Sequence, residues 1–273
     1  MKKLNFGLIF IRIFMKSTLK IQASICEFLE MFSRDEEFIE TLRNSKKELD
    51  LIPEIFLEIS EKNLKEFLSF LEKILSNEEI RNLLRGKDDI LLNLSVFLLK
   101  CKEEPCVRLI LDIIEKFLIT NEEIKGNFMN KAFLFFNGSL FNILANEFHA
   151  EIKIFSLKIL DLIIDKISFN SYEIGFLPNL IGIYPESQEK PVSEEIISII
   201  IRLLNETPQN SQILIKSPEI LKFLCAEDIP DKYLIPSLVI LKVLYSEAKN
   251  IQNLNIFAGK SLLTRSVSHF LIN

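Results

Sequence analysis

Apolar residues along this chain recur at helical rather than alternating spacing. In VRLILDIIEKFLI, residues 107–119, Arg108, Asp112, Glu115 and Lys116 share one face while Val, Leu, Ile and Phe fill the remainder. That is the pattern of a helix packed on two sides. Segments of this kind predict long helices over about 21–33, 64–76, 107–119, 152–166, 193–206 and 234–247, with shorter ones near 36–44, 47–59, 78–84, 88–100, 122–130 and 132–145. Between them one phrase returns: an apolar helix end, a Ser/Thr/Asn step, acidic residues, then an apolar residue. It reads FLEMFSRDEEF at 28–38, FLEKILSNEEI at 70–80, IIEKFLITNEEI at 113–124 and, more weakly, LLNETPQNSQI at 203–213. Asn77 and Asn121 stand 44 residues apart and Asn121 and Asn210 stand 89 apart, about two periods; the middle copy falls near Asp165 to Tyr172.

Each phrase closes one helix and opens the next. Ser76/Asn77 and Thr120/Asn121 can accept from the free N–H groups of the following turn. The acidic pairs after them sit where the helix dipole favours negative charge, and Thr120 and Glu123 are spaced as a capping box. One short and two longer helices in about 43 residues is the size class of armadillo and HEAT repeats, whose units bury their apolar faces only against neighbours. The expected fold is therefore all-α: an armadillo/HEAT-like α-solenoid of about five to six helical repeats forming a single domain over 1–273. An up-down bundle would not lock the caps in phase. Pro178, Pro185 and Pro191, with Glu186, Ser187 and Gln188 between them, mark the best candidate for a loop or break in the stack. At the start, Arg12 interrupts the apolar run and no small-residue cleavage site follows, unlike a signal peptide; the run is also shorter than the ~20 residues of a membrane span. Residues 1–15 are expected to form a capping helix or a dispensable extension, with Met15 as an alternative start.

Composition narrows the function. The chain has only 7 Gly and 9 Pro among 273 residues, too few for many strands joined by tight turns. A net charge of −5 and a pI near 5.4 run against the basic footprint of a nucleic-acid binder. The four cysteines, Cys26, Cys101, Cys106 and Cys225, contain no C-x-x-C pair, and neither His149 nor His269 has a ligand-type neighbour one turn away. A zinc site needs about four ligands at close spacing, so no metal is expected, and reduced buried thiols fit a cytoplasmic or nuclear protein. No Gly-rich phosphate loop, H-E-x-x-H or G-x-S-x-G motif occurs. His149 reads as a capping or surface histidine. Glu36/Glu37, Glu78/Glu79 and Glu122/Glu123 repeat once per unit, as dipole partners would and a catalytic pair would not. Phe135 and Phe136 read as core. The chain is expected to be a non-enzymatic protein binder without cofactor, nucleic acid or membrane, and a monomer. In armadillo-type stacks the third helices line a concave groove. Their solvent-side positions here are Glu72, Asp112, Glu115, Asp161 and Arg202, a row that leans acidic and would steer a basic partner.

HAEIKIFSLKILDLI at 149–163, ESQEKPVSEEIISIIIRLLNETPQNSQILIKSPEILKFL at 186–224 and FAGKSLLTRSVSHFL at 257–271 resemble segments of the proteasome base assembly chaperones, the family of the regulatory particle's non-ATPase subunit 5. The features that carry the resemblance are Ser187-Gln188, Pro191, Pro208, Gln212 and the Ser217-Pro218 pair after an apolar run, with FLFFNGSL at 133–140 as a further likeness. The resemblance implies a cytosolic chaperone that holds the C-terminal domain of a proteasomal AAA ATPase subunit. An Hsp70 nucleotide-exchange factor, or another armadillo-type regulatory scaffold, is the alternative and matches at the level of repeat pattern.

Overall fold

The structure is a computed structural model; it describes residues 6–85, 87–119, 125–164, 176–184, 190–206, 220 and 239–240. Among the described residues there are helices and no strands. In order they are α1 (Phe6–Phe14), α2 (Leu19–Phe32), α3 (Glu36–Arg43), α4 (Lys46–Glu58), a 3₁₀ turn (Glu61–Asn63), α5 (Leu64–Ile74), α6 (Glu78–Arg85), α7 (Asp88–Lys100), α8 (Glu104–Leu118), α9 (Lys125–Ala145), α10 (Ala150–Ile164), α11 (Phe176–Ile183) and α12 (Lys190–Glu206). Backbone contacts gather into two compact units, 1–167 and 168–273. The first holds α1 to α10; in the second, α11 packs on α12.

The helices of the first unit form two parallel rows. α2 packs on α5, α5 on α8 and α8 on α10, while α1 packs on α4, α4 on α7 and α7 on α9. The short helices α3 and α6 fill the corners. The repeat length can be read from the polar links between successive units: Arg12 to Glu48 and Arg43 to Glu79 span 36 residues, Ser69 to Glu30 spans 39, Ser95 to Phe135 spans 40, Lys116 to Glu72 spans 44 and His149 to Glu104 spans 45. These bracket the period of the cap phrases.

Local chemistry sets the helix ends. Asp35 accepts from the Glu37 N–H at 2.9 Å and Asn77 from the Ile80 N–H at 3.1 Å, each satisfying a donor that the first turn leaves free. Pro105 lies in the first turn of α8, where its missing N–H costs nothing, so α8 begins earlier than its apolar periodicity indicates. The helices expected over 122–130 and 132–145 are one: α9 runs unbroken from Lys125 to Ala145, with no proline to break it. The Thr120 to Glu123 box and the helix over 234–247, apart from residues 239–240, lie outside the described residues.

The core sits between the rows. Cys106, Val107, Ile110, Leu111, Ile113, Ile114, Phe117 and Leu118 of α8 are all buried, more than one stripe, as a helix with a neighbour on each side requires. Each such side chain contributes roughly 1.5–3 kcal/mol by leaving water. Phe136 is fully buried in α9, and the neighbouring Phe135 carbonyl accepts from Ser95 of α7.

Candidate binding surface

Because α2, α5, α8 and α10 lie side by side, their outward positions form a continuous row in the first unit. α5 places Glu72 there, α8 places Asp112 and Glu115, and α10 places Asp161, all partly buried. Arg202 is partly buried on α12, in the second unit.

The row is of mixed sign rather than acidic. α5 carries Lys65, Glu66, Glu72 and Lys73, and α10 carries Glu151, Lys153, Lys158 and Asp161. Lys116 of α8 reaches across to α5, where its ammonium pairs with the Glu72 carboxylate and donates to the Glu72 carbonyl at 2.8 Å and to Ser76 Oγ at 2.9 Å. Ser69 of α5 donates to Glu30 of α2 at 3.2 Å. Arg108 of α8 lies over the Phe155 ring of α10, 5.4 Å from its centroid, a cation–π contact. Each pair of neighbouring helices is thus joined by a polar or cationic link on this face.

Asp112 is only weakly compensated. Arg108, one turn away, approaches it only to 3.9 Å while also covering Phe155. Burial pushes the Asp112 carboxyl above its ordinary range, Arg108 and Lys116 oppose that, and Glu72 adds to it. Glu72 therefore acts on Asp112 across the α5–α8 seam, and a further cation there would relieve Asp112.

His149 is exposed and stands just before α10, giving its backbone N–H to Glu104 at 2.8 Å while its ring meets the same carboxylate. A separate cavity of about 640 Å³ opens where α4 and α7 end and α8 begins, walled by Phe56, Leu57, Phe97 and Lys100, with Cys101 and Cys106 at its side. Burial pushes the Cys106 thiol up to about 12, so it stays protonated. Among the described residues no cluster of His, Cys, Asp or Glu could hold a metal ion, and no helix is long and apolar enough to cross a membrane.

Three solved structures share this arrangement. A computationally designed armadillo repeat protein for modular peptide recognition is 16% identical, with a TM-score of 0.56 over 88% of this chain and 99% of that one. A designed armadillo repeat protein in complex with the peptide (KR)4 is 15% identical, with a TM-score of 0.54 over 89% and 99%. An engineered protein is 12% identical, with a TM-score of 0.55 over 89% and 98%. This chain folds as an armadillo-like α-solenoid. In armadillo terms α2, α5, α8 and α10 are third helices and α4, α7 and α9 second helices. No family model matches the chain, and no curated protein does.

The sequence places Arg108, Asp112, Glu115 and Lys116 on one face of α8, but not what lies across from them. Lys116 lies on the same helix as Asp112 yet spends its charge on Glu72, 44 residues earlier. Only the stacking of α5 on α8 brings those groups together.

Proposed function

We propose that this chain is a non-enzymatic, protein-binding armadillo scaffold that takes an extended basic segment of its partner along the α5–α8–α10 row. The observation that carries the reading is Asp112: a partly desolvated carboxylate whose nearest cation is shared with an aromatic ring and which has a second acid, Glu72, beside it. A lysine or arginine of a partner placed over this seam gains two acceptors and releases unfavourable charge. Glu115 and Asp161 extend the acidic positions along α8 and onto α10. One designed armadillo neighbour holds a peptide of alternating Lys and Arg, which supports a basic segment as the ligand class.

At the finer level the partner we propose is a proteasomal AAA ATPase subunit, held by a cytosolic assembly chaperone; the resemblance of 149–163, 186–224 and 257–271 supports that reading. Affinity capture from native lysate, read by mass spectrometry, tests both levels. The wild-type chain is expected to retain proteasomal ATPase subunits. The variant carrying Asp112→Lys, Glu115→Lys and Asp161→Lys is expected to lose them while melting normally. Recovery of Hsp70 in their place would replace the chaperone reading with that of an exchange factor. Equal capture by a stable triple variant would remove the acidic positions from the binding surface.

A further inference from the structure

A solenoid buries each row against the next. The row made by α1 and α2 packs on its neighbours with one face, and its other face is largely apolar and, among the described residues, uncovered. Leu8, Ile11 and Phe14 of α1 and Ile25, Cys26 and Leu29 of α2 are buried, where α1 meets α4 and α2 meets α5. On the other side Phe6, Phe10 and Ile13 follow at i, i+4 and i+7 on α1, and Ile21, Ser24 and Phe28 at i, i+3 and i+7 on α2. Such spacings place each trio on one stripe of its helix. Phe10 stacks on Phe28 with ring centroids 5.3 Å apart, which joins the two stripes into one patch. Phe6 is 56% exposed, Ile21 51%, Phe28 44% and Ile13 38%, with Met15 and Met31 bordering them at 36% and 54%.

At about 100 Å² for each of these side chains, judged from the 150–250 Å² that an aromatic residue presents, the patch leaves roughly 600 Å² of apolar surface in water. That reaches the upper range of the largest patch on a typical monomer. It approaches the ~800 Å² that each partner contributes to a stable interface.

We propose that this face binds a second copy of the chain, with the two α2 helices crossing antiparallel at Ser24. The charges select that occupant. Lys20 and Glu27 are both exposed on α2 and flank the exposed Ser24 at nearly equal distances. A two-fold axis at Ser24 therefore sets Lys20 of each copy against Glu27 of the other, and Ile21 of each against Phe28 of the other. The Ser24 side chain is small enough to let the helices approach. Its hydroxyl, both donor and acceptor, can pair with its own copy across the axis. An isologous contact requires a self-complementary surface, and opposite charges spaced evenly about a small central residue supply it. The flanking α1 stripes extend the apolar contact.

Sedimentation velocity of the full chain over a wide range of concentration tests this. The wild type is expected to dimerise reversibly. Ile21→Glu places a carboxylate in the patch and is expected to yield monomer with an unchanged helical spectrum and melting temperature. Lys20→Glu sets like charges across the axis twice and is expected to weaken the dimer about tenfold, from small losses at two exposed pairs. Adding Glu27→Lys to it restores opposite charges and is expected to recover wild-type affinity. Only the proposed self-contact makes the double swap better than the single one. A wild type that stays monomeric at every concentration, a dimer indifferent to Ile21→Glu, or a double swap weaker than Lys20→Glu alone would each overturn the proposal.

Discussion

Arg85 ends α6, yet it closes α8. Its side chain is only 6% exposed. Nε donates to the Phe117 carbonyl at 2.8 Å, Nη2 donates to the Lys116 carbonyl at 3.2 Å and to that of Ile119, and Nη1 donates to Asn82 at 2.7 Å. The three carbonyls belong to the end of a helix, where no intrahelical N–H is available. Burial, with Arg81 nearby, pulls the guanidinium down to about 10, so it is a full cation at neutral pH. Three charge-assisted bonds at ~1.5 kcal/mol each and about 1 kcal/mol from a cation at the negative end of the helix dipole oppose a desolvation cost of a few kcal/mol. Arg85→Met, which keeps the apolar stem, is therefore expected to destabilise the protein by about 3 kcal/mol, the net of these terms. At about 2–4 °C per kcal/mol for a chain of this size, the melting temperature should fall by roughly 9 °C. Arg43 is the internal control. It ends α3 as Arg85 ends α6, but it pairs with the exposed Glu40 and Glu79, and Arg43→Met should cost no more than about 0.5 kcal/mol. Urea unfolding followed by circular dichroism measures both. An Arg85→Met loss below about 0.5 kcal/mol, or an equal loss from Arg43→Met, would refute the reasoning.

A Cβ on Gly7 would stand 2.3 Å from Phe38 Cε2, so Gly7→Ala should lower thermal stability by about 1–2 kcal/mol, overpacking outweighing the gain in helix propensity; combining it with Phe38→Leu should recover most of the loss. A chain begun at Met15 loses the partner of Glu48, a carboxylate only 4% exposed that Arg12 pairs with, and should melt lower than the full chain in a thermal scan. The Glu104 carboxyl is held below its usual value of 4.5, chiefly by the His149 backbone N–H. Its folded value is depressed, so its contribution is complete above the unfolded value and is lost as pH falls through the folded one. Glu104→Gln should flatten the stability–pH curve below pH 4.5, as urea melts across that range will show.

Much of this architecture is local and so can be read from the chain. FLEKILSNEEI contains a helix end, the Asn77 cap that bonds Ile80, and two acids for the next dipole, all within a few residues. The third-helix row follows from repeating that phrase. What escaped was non-local. EEFIETLR and EEIRNLLR end in the same residue, yet Arg43 meets surface acids while Arg85 reaches the carbonyls of a helix more than thirty residues on. The polar face of α8 was read with Arg108 and Lys116 on it, but not that Lys116 pairs with Glu72 of α5 or that Arg108 covers Phe155 of α10: charge along one helix does not report what the neighbouring helix sets against it. The open face of α1 and α2 was hidden because a helix that packs on one side only and a helix that packs on two carry the same apolar pattern. The difference is whether a second neighbour covers the other side, and among the described residues none covers this one.

Hydroxyl-radical footprinting of the chain bound to its captured partner tests the central claim most directly, because it reads side chains row by row. The account predicts that Leu109 of α8 and Phe155 of α10, on the third-helix face, lose reactivity when the partner binds. Leu92 and Leu99 of α7 and Leu134 of α9, exposed on second helices at 45%, 50% and 75%, should react as they do in the free chain. Protection of those leucines with Leu109 and Phe155 unchanged would contradict it and place the partner on the opposite face.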